Sequence, residues 1–328
     1  MKKILVTGGA GYIGSHLVRN FLDDGHSVKM MDVFNFGLES VKEISGDDNF
    51  TLLIGDIRDE NDIQKAVSGV DAVVHLAAIV GDPACSVQAD VTVSTNYQAT
   101  LKLAEAAKKQ GVEHFVFAST CSVYGASDSD MLNEESPLNP VSLYAETKID
   151  AEKKLSKLVD ESFQPTILRV GTIYGLSPRM RFDLVVNYLT KKIMAEGTGM
   201  IFGGGQWRPF VHVKDVARGI KKVVESPLSK VGGETFNLGL TGENYQMKDL
   251  IPLYEKAFPN ADIQLVEEVK DNRSYRISFK KFEKIVGFSK TSTVADGVKE
   301  IRDAIKSGMI KNPDDKKYYN YIPSKEAK

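Results

Sequence analysis

Thr7-Gly8-Gly9-Ala10-Gly11-Tyr12-Ile13-Gly14 is the stretch whose reading decides the fold. Ahead of it runs Lys3-Ile4-Leu5-Val6, short, apolar and β-branched, which predicts a buried strand. Behind it Ile13, Leu17 and Phe21 recur at helical spacing, so the glycines occupy a strand-to-helix turn. The first glycines permit a tight turn and let backbone N–H groups approach a pyrophosphate. Gly14, without a Cβ, lets the helix pack close to the strand, with its N-terminus toward the anion. A second strand, Ser27-Val28-Lys29-Met30-Met31, ends in Asp32, at the distance where a carboxylate accepts hydrogen bonds from an adenosine ribose. A carboxylate there repels a 2′-phosphate, and no arginine follows closely in the sequence. The stretch reads as a dinucleotide site that takes NAD in preference to NADP.

Working outward, strands and helices alternate. Strands are expected at 50–54, 72–76, 114–118 and 166–170, with helices near 60–67, 95–109 and 142–159. Such alternation predicts an α/β fold, a Rossmann-type doubly wound parallel sheet with ligands at the carboxyl ends of its strands. Past Gly171 the rhythm breaks. A loop at 175–181 leads to a helix expected at 182–195, a short strand at 209–213, and helices near 214–225, 247–257 and 294–307. The division that follows is an NAD-binding Rossmann domain over 1–174, with a return segment at about 207–236. A smaller, interleaved C-terminal substrate lobe takes 175–206 and 237–310, and 311–328 reads as a surface tail.

Composition narrows the partners. With 42% hydrophobic and 26% charged residues the chain is an ordinary globular one. A formal net charge of −2 leaves no basic footprint for nucleic acid. Two cysteines, Cys85 and Cys121, cannot build a disulfide framework or a cysteine-rich metal centre, so no metal is expected. The N-terminus reads directly into a strand and no apolar run reaches membrane-spanning length, so a cytoplasmic location is expected, with no membrane partner.

The second chemical signal is Tyr144-Ala145-Glu146-Thr147-Lys148. Residues four apart share a helix face, so phenol and ammonium become neighbours, and the stripe continues inward through Ala151, Leu155 and Leu158. A nearby cation favours phenolate and is expected to lower the Tyr144 pKa, making it a general base or acid toward a sugar hydroxyl. A hydroxyl cluster, Ser119-Thr120-Cys121-Ser122-Val123-Tyr124-Gly125, ends the fifth strand, where a hydroxyl can bond the oxygen being oxidised. Cys121 has no identifiable histidine partner and reads as a small buried residue.

Together the glycine loop, Asp32, Gly55-Asp56-Ile57, His75-Leu76-Ala77-Ala78, Asn96, Thr120 with Tyr124-Gly125, and Tyr144-x-x-x-Lys148 resemble the extended short-chain dehydrogenases. Within them the chain is similar to the NAD-dependent epimerase/dehydratase family acting on nucleotide sugars, from Lys2 to about Lys306. The resemblance implies that Gly8, Gly11, Tyr12, Ile13, Gly14 and Asp32 hold the cofactor. Asp56 and Ile57 would meet its adenine, and Leu76, Ala77, Ala78 and Asn96 would shape its cleft. Lys148 would also hold the nicotinamide ribose, and Thr120 and Tyr144 would act as acid–base pair at the sugar C4 hydroxyl. In the substrate half, Gln206 to Val216 resembles the family's strand with a diphosphate-binding arginine, here Arg208, and Asp271-Asn272-Arg273 resembles its second such site. Arginine suits a pyrophosphate because its planar fork donates two hydrogen bonds at once. Ser122, Thr172, Arg181 and Asn187 complete the expected substrate contacts. Thr172 stands where many relatives carry Asn, and Pro209 where many carry Asp.

The resemblance also separates reactions. The family's 4,6-dehydratases place Asp and Glu directly after the catalytic Thr, where this chain has Cys121 and Ser122. Its 3,5-epimerases use a cysteine two residues before the loop tyrosine, whereas Cys121 lies three before Tyr124. C4 epimerisation of a nucleoside-diphosphate hexose through a 4-keto intermediate needs only Thr120, Tyr144 and NAD, and it is the expected activity. The alternative is a 4-dehydrogenase or 4-ketoreductase, because Ser177 to Leu184 is similar to a branch containing such enzymes. A 4,6-dehydratase, or a regulator that binds NAD without catalysis, fits less well. The helices near 95–109 and 142–159 resemble those that form a four-helix bundle across a homodimer, with Ala99, Ala104, Ala106 and Ala107 allowing close contact.

Overall fold

The computed structural model describes residues 1–127, 131–267 and 273–320. Among them the strands are β1 (Lys3–Thr7), β2 (Ser27–Asp32), β3 (Phe50–Ile54), β4 (Ala72–His75), β5 (His114–Thr120) and β6 (Gln164–Val170). There follow β7 (Thr172–Tyr174), β8 (Thr198–Phe202), β9 (Trp207–His212), β10 (Thr235–Leu238), β11 (Asn244–Gln246) and β12 (Asp262–Val266). Seven of them form one sheet in the order β3-β2-β1-β4-β5-β6-β10, every neighbouring pair parallel. The order reverses at β1, which pairs with β2 on one side and β4 on the other. A parallel doubly wound sheet opens its ligand crevice at that switch point.

Both faces of the sheet are covered, which explains why its strands read as continuous apolar runs. On one face the helices Gly14–Asp23 and Val213–Glu225 bring Leu17, Phe21, Val216 and Ile220 against Ile4, Val6 and Val28. On the other, the helices Glu60–Val67, Thr100–Lys109 and Leu143–Lys157 bring Ile63, Leu103 and Leu155 against Leu5, Val73 and Phe115. Ala99, Ala104, Ala106 and Ala107, expected at a dimer contact, are buried in this second layer and face the chain's own core.

The second lobe is built from β11-β9-β7, the parallel pair β8 and β12, and helices Val185–Glu196, Ile251–Ala257 and Val294–Lys306. Its core gathers Tyr174, Val186, Leu189, Phe210, Tyr254 and Val298. Two differences from expectation concern this lobe. The helix expected from Phe182 begins at Val185, because buried Phe182 anchors the preceding loop. The return to the main sheet is made by β10, while β9 stays in the small three-stranded sheet.

The segment after Ile310 is not a free surface tail where it is described. Phe182 N–H donates to the Tyr318 carbonyl at 2.9 Å, the two rings meet edge-on, and Lys191 bonds both Asp314 and Tyr319. Asn320 accepts a 2.6 Å bond from Arg179 and donates to the Val80 carbonyl at 3.5 Å. Residues 311–320 thus strap the second lobe to the loop after β4. Among the described residues no helix is long and apolar enough to cross a membrane. No cluster of three or more metal-ligating side chains forms among them either.

Candidate active site

The glycine loop closes as its sequence requires. Gly8 takes φ +72°, and a Cβ there would lie 2.7 Å from Ala77 N. A Cβ on Gly14 would lie 2.4 Å from the Gly8 carbonyl oxygen and 2.6 Å from Gly9 Cα. The loop, the helix N-terminus behind it and the backbone of Leu76 and Ala77 therefore form a cradle with space only for backbone, which fits a dinucleotide diphosphate. Asp32 accepts from Ala10 N–H at 3.0 Å and Phe34 N–H at 2.9 Å, and burial raises its pKa. Each carboxylate oxygen keeps a second acceptor site for a ribose hydroxyl. These residues fit NAD.

Other expected cofactor residues are also engaged within the protein. Tyr12 is buried, with its hydroxyl donating to the Gly175 carbonyl at 2.5 Å, and Ile13 packs in the apolar layer beneath. Asn96 is fully buried, and both ends of its amide bond the backbone of Ile79 at 2.8 Å, fixing the loop after β4. Asp56 is held by Arg58, whose guanidinium lowers its pKa, and Ile57 is buried beside it. His75, unassigned in the sequence, ties this region together by bonding Thr7 Oγ1 at 2.7 Å and Thr100 Oγ1 at 2.9 Å.

Thr120 ends β5, and Tyr144 and Lys148 rise from the helix that Ser142 caps by accepting from Ala145 N–H. The Thr120 hydroxyl neighbours the Tyr144 phenol and acts to lower its pKa. Lys148 is inward-facing as expected and 3% exposed. Its ammonium donates to the Ala118 carbonyl at 2.8 Å and lies 4.6 Å from the Phe117 ring centroid and 6.0 Å from that of Tyr144. The lowering expected for the Tyr144 pKa is not found in the protein alone: burial is the largest influence and raises it. Burial likewise draws the Lys148 pKa down to about 8. Each charged form loses more hydration than the distance between the two groups returns.

Thr120 and Tyr144 form part of the wall of a cavity of about 590 Å³ between the lobes. Ser122, Thr172, Arg181, Arg208 and Arg273 line the same cavity. Arg181 is engaged side-on by Asp183, at 3.1 and 2.6 Å, and Arg273 meets Asp82 at 3.1 Å. Arg208 is 7% exposed, with one guanidinium nitrogen on the Trp207 carbonyl at 2.9 Å. Asp271 and Asn272 lie outside the described residues. Asn187, expected at the substrate, does not line the cavity. Fully buried, it accepts from Gly175 N–H and donates to the Arg181 carbonyl and Tyr12 hydroxyl, so it holds the loop that carries Arg181.

Sequence reasoning missed Asp82, whose Oδ1 is buried without a partner among the described residues, together with Tyr188, Tyr275 and Asn320, all on the cavity wall. The Asp82-Pro83 start of a helix directly after the Leu76–Ala78 motif was the one available signal for Asp82. Cys121 is enclosed, its thiol donating to the Arg169 carbonyl at 3.2 Å, and burial raises its pKa.

The sequence model of the NAD dependent epimerase/dehydratase family matches residues 4–239. An uncharacterized UDP-glucose epimerase of Bacillus subtilis (strain 168) is 36% identical over 248 residues, covering 72% of this chain and 76% of its own. A dTDP-glucose 4,6-dehydratase of Streptomyces griseus is 30% identical over 307 residues, covering 90% and 91%. Among solved structures, the UDP-glucuronic acid 4-epimerase of Bacillus cereus in complex with UDP-glucuronic acid and NAD superposes with a TM-score of 0.84. That protein is 29% identical, with 93% of this chain and 99% of the other covered.

Proposed function

The chain belongs to the NAD-dependent epimerase/dehydratase family, and we propose that it epimerises a nucleoside-diphosphate hexose at C4 through a 4-ketosugar. The observation that carries this reading is the chemistry at the end of β5. Thr120 and Tyr144 offer neighbouring hydroxyls at the cavity wall, while the next two positions supply an enclosed thiol and a serine and no carboxylate. Reversible oxidation of an alcohol needs the first pair, whereas elimination of water needs further acid–base groups.

NAD, held by the glycine loop and Asp32, would supply the hydride acceptor and donor for a reversible oxidation at C4. Tyr144 takes the C4 hydroxyl proton, assisted by Thr120, and the nearby Lys148 ammonium favours the phenolate. Arg208 and Arg273 hold the diphosphate while the sugar turns, and the proton then comes back from Tyr144. Asn96 and His75 act only by fixing the loops around these groups. We place the enzyme in the cytoplasm as a homodimer paired through the helices Thr100–Lys109 and Leu143–Lys157.

The test is product analysis after incubation with UDP-, dTDP-, GDP- and CDP-hexoses. The expected product is the C4 epimer with no net NADH. Tyr144→Phe should lower kcat by about 10²–10⁴-fold and leave NAD binding intact. Stoichiometric NADH with a released ketosugar would transfer the protein to the 4-dehydrogenases. A product lighter by one water would overturn the reading.

A further inference from the structure

Arg179 sits in the loop between β7 and the helix Val185–Glu196, on the substrate lobe, yet its head crosses to the cofactor side. It is 5% exposed, and its guanidinium lies 3.8 Å from the ring centroid of Phe36, in the loop that follows Asp32. Asp32 and the glycine-loop residue Tyr12 both lie within reach of its charge. Among the described residues its hydrogen-bond partner is the neutral amide of Asn320, and its Nε is buried with no partner at all.

A buried cation without a paired anion is a costly arrangement unless an anion arrives from outside. Among the described residues no carboxylate forms an ion pair with it. Asp183 is clamped by Arg181, and Asp32 accepts two backbone N–H groups. Burial pulls the Arg179 pKa down only to about 10, so it keeps its charge at neutral pH. The loop that carries it touches the glycine turn: Ser177 Oγ donates to the Tyr12 carbonyl at 2.8 Å and bonds Ser15 Oγ at 3.0 Å, at the N-terminus of the helix Gly14–Asp23, which favours a phosphate.

We propose that Arg179 is a ligand of the dinucleotide's diphosphate, delivered across the cleft from the substrate lobe and held in place by Asn320. The 2′-position is the weaker candidate, because Asp32 repels a phosphate there. The substrate's own diphosphate is also disfavoured, because Asn320 lines the substrate cavity and Arg179, which it bonds, does not. The strap at 311–320 then becomes part of the cofactor site, and dinucleotide binding fastens the two lobes together.

Calorimetric titration of full-length Arg179→Gln with NAD, ADP-ribose, adenosine, NADP and UDP tests this. A charge-assisted contact of this kind predicts about 10- to 100-fold weaker NAD and ADP-ribose binding. Adenosine and UDP should bind as before, and NAD affinity should depend less on salt. Arg179→Lys, which keeps the charge without the fork, should fall between the two. The unfolding temperature without added nucleotide should hold or rise, since a buried unpaired cation is removed. An equal loss for adenosine, a loss confined to NADP or to UDP, or unchanged NAD affinity would each overturn the proposal. None of these readouts depends on which reaction the enzyme performs.

Discussion

His75 shows how one buried side chain sets a pH limit. It sits between Thr7 on β1 and Thr100, and burial lowers its pKa from 6.5 to about 3. The unfolded chain takes a proton below about 6.5 that the folded protein refuses, so stability falls as pH drops from 6.5 toward 3. His114, lowered to about 4 for the same reason, adds in the same direction. His75→Gln should therefore flatten, without abolishing, the decline of unfolding temperature between pH 7 and 5. An unchanged slope would remove His75 from the account. At the same scale Tyr144 and Lys148 show that a four-residue spacing sets proximity, while hydration decides ionisation.

The strand-to-helix turn is the element on which cofactor and fold both depend. At Gly14 an added methyl would meet backbone of Gly8 and Gly9, which cannot yield as a side chain could. Gly14→Ala should cost about 1–3 kcal/mol of stability, as overpacking does. It should also weaken NAD binding, because the turn must open to relieve the clash. Thermal unfolding and cofactor titration check the two effects, and a variant that kept both would show that the cradle has slack. The loop 175–184 is the counterpart element on the other lobe. Asn187 and Tyr12 fix its start, Phe182 its end, and between them Arg179 and Arg181 are aimed into different sites.

Across the whole molecule the two lobes are joined from both directions. β10 and the helix Val213–Glu225 return to the main sheet after the chain has entered the second lobe, and residues 311–320 cross back over the cleft. Assembly belongs to this scale too. With the alanines turned into the core, the outward faces of the helices proposed to pair present Lys102, Glu105, Glu146 and Asp150. Static light scattering at micromolar concentration should give the mass of two chains, and the polar character of these faces predicts that high salt shifts that mass. A single-chain mass at low salt would rule out the proposed pairing.

The sequence by itself determined the parts of the protein governed by local rules. Apolar runs bounded by turns placed the strands, and the glycine spacing placed the dinucleotide turn. The i, i+4 rule put Tyr144 and Lys148 on one helix face, because backbone geometry repeats over a few residues. The family resemblance implied Arg181, Arg208 and Arg273 as substrate residues, and all three line one cavity. Only the tertiary structure decided which polar groups are spent inside the protein. Asn187 and Asn96 turn to backbone partners 12 and 17 residues away, and Arg179 meets Asn320 across 141 residues. No periodicity encodes such pairings, since they follow from which surfaces close upon each other. The same closure made a polar C-terminal segment into a strap, and brought an arginine from far along the chain within reach of the charge of Asp32. Burial, which exists only once the chain has folded, then shifted Tyr144 and Lys148 away from the ionisation their spacing alone implied.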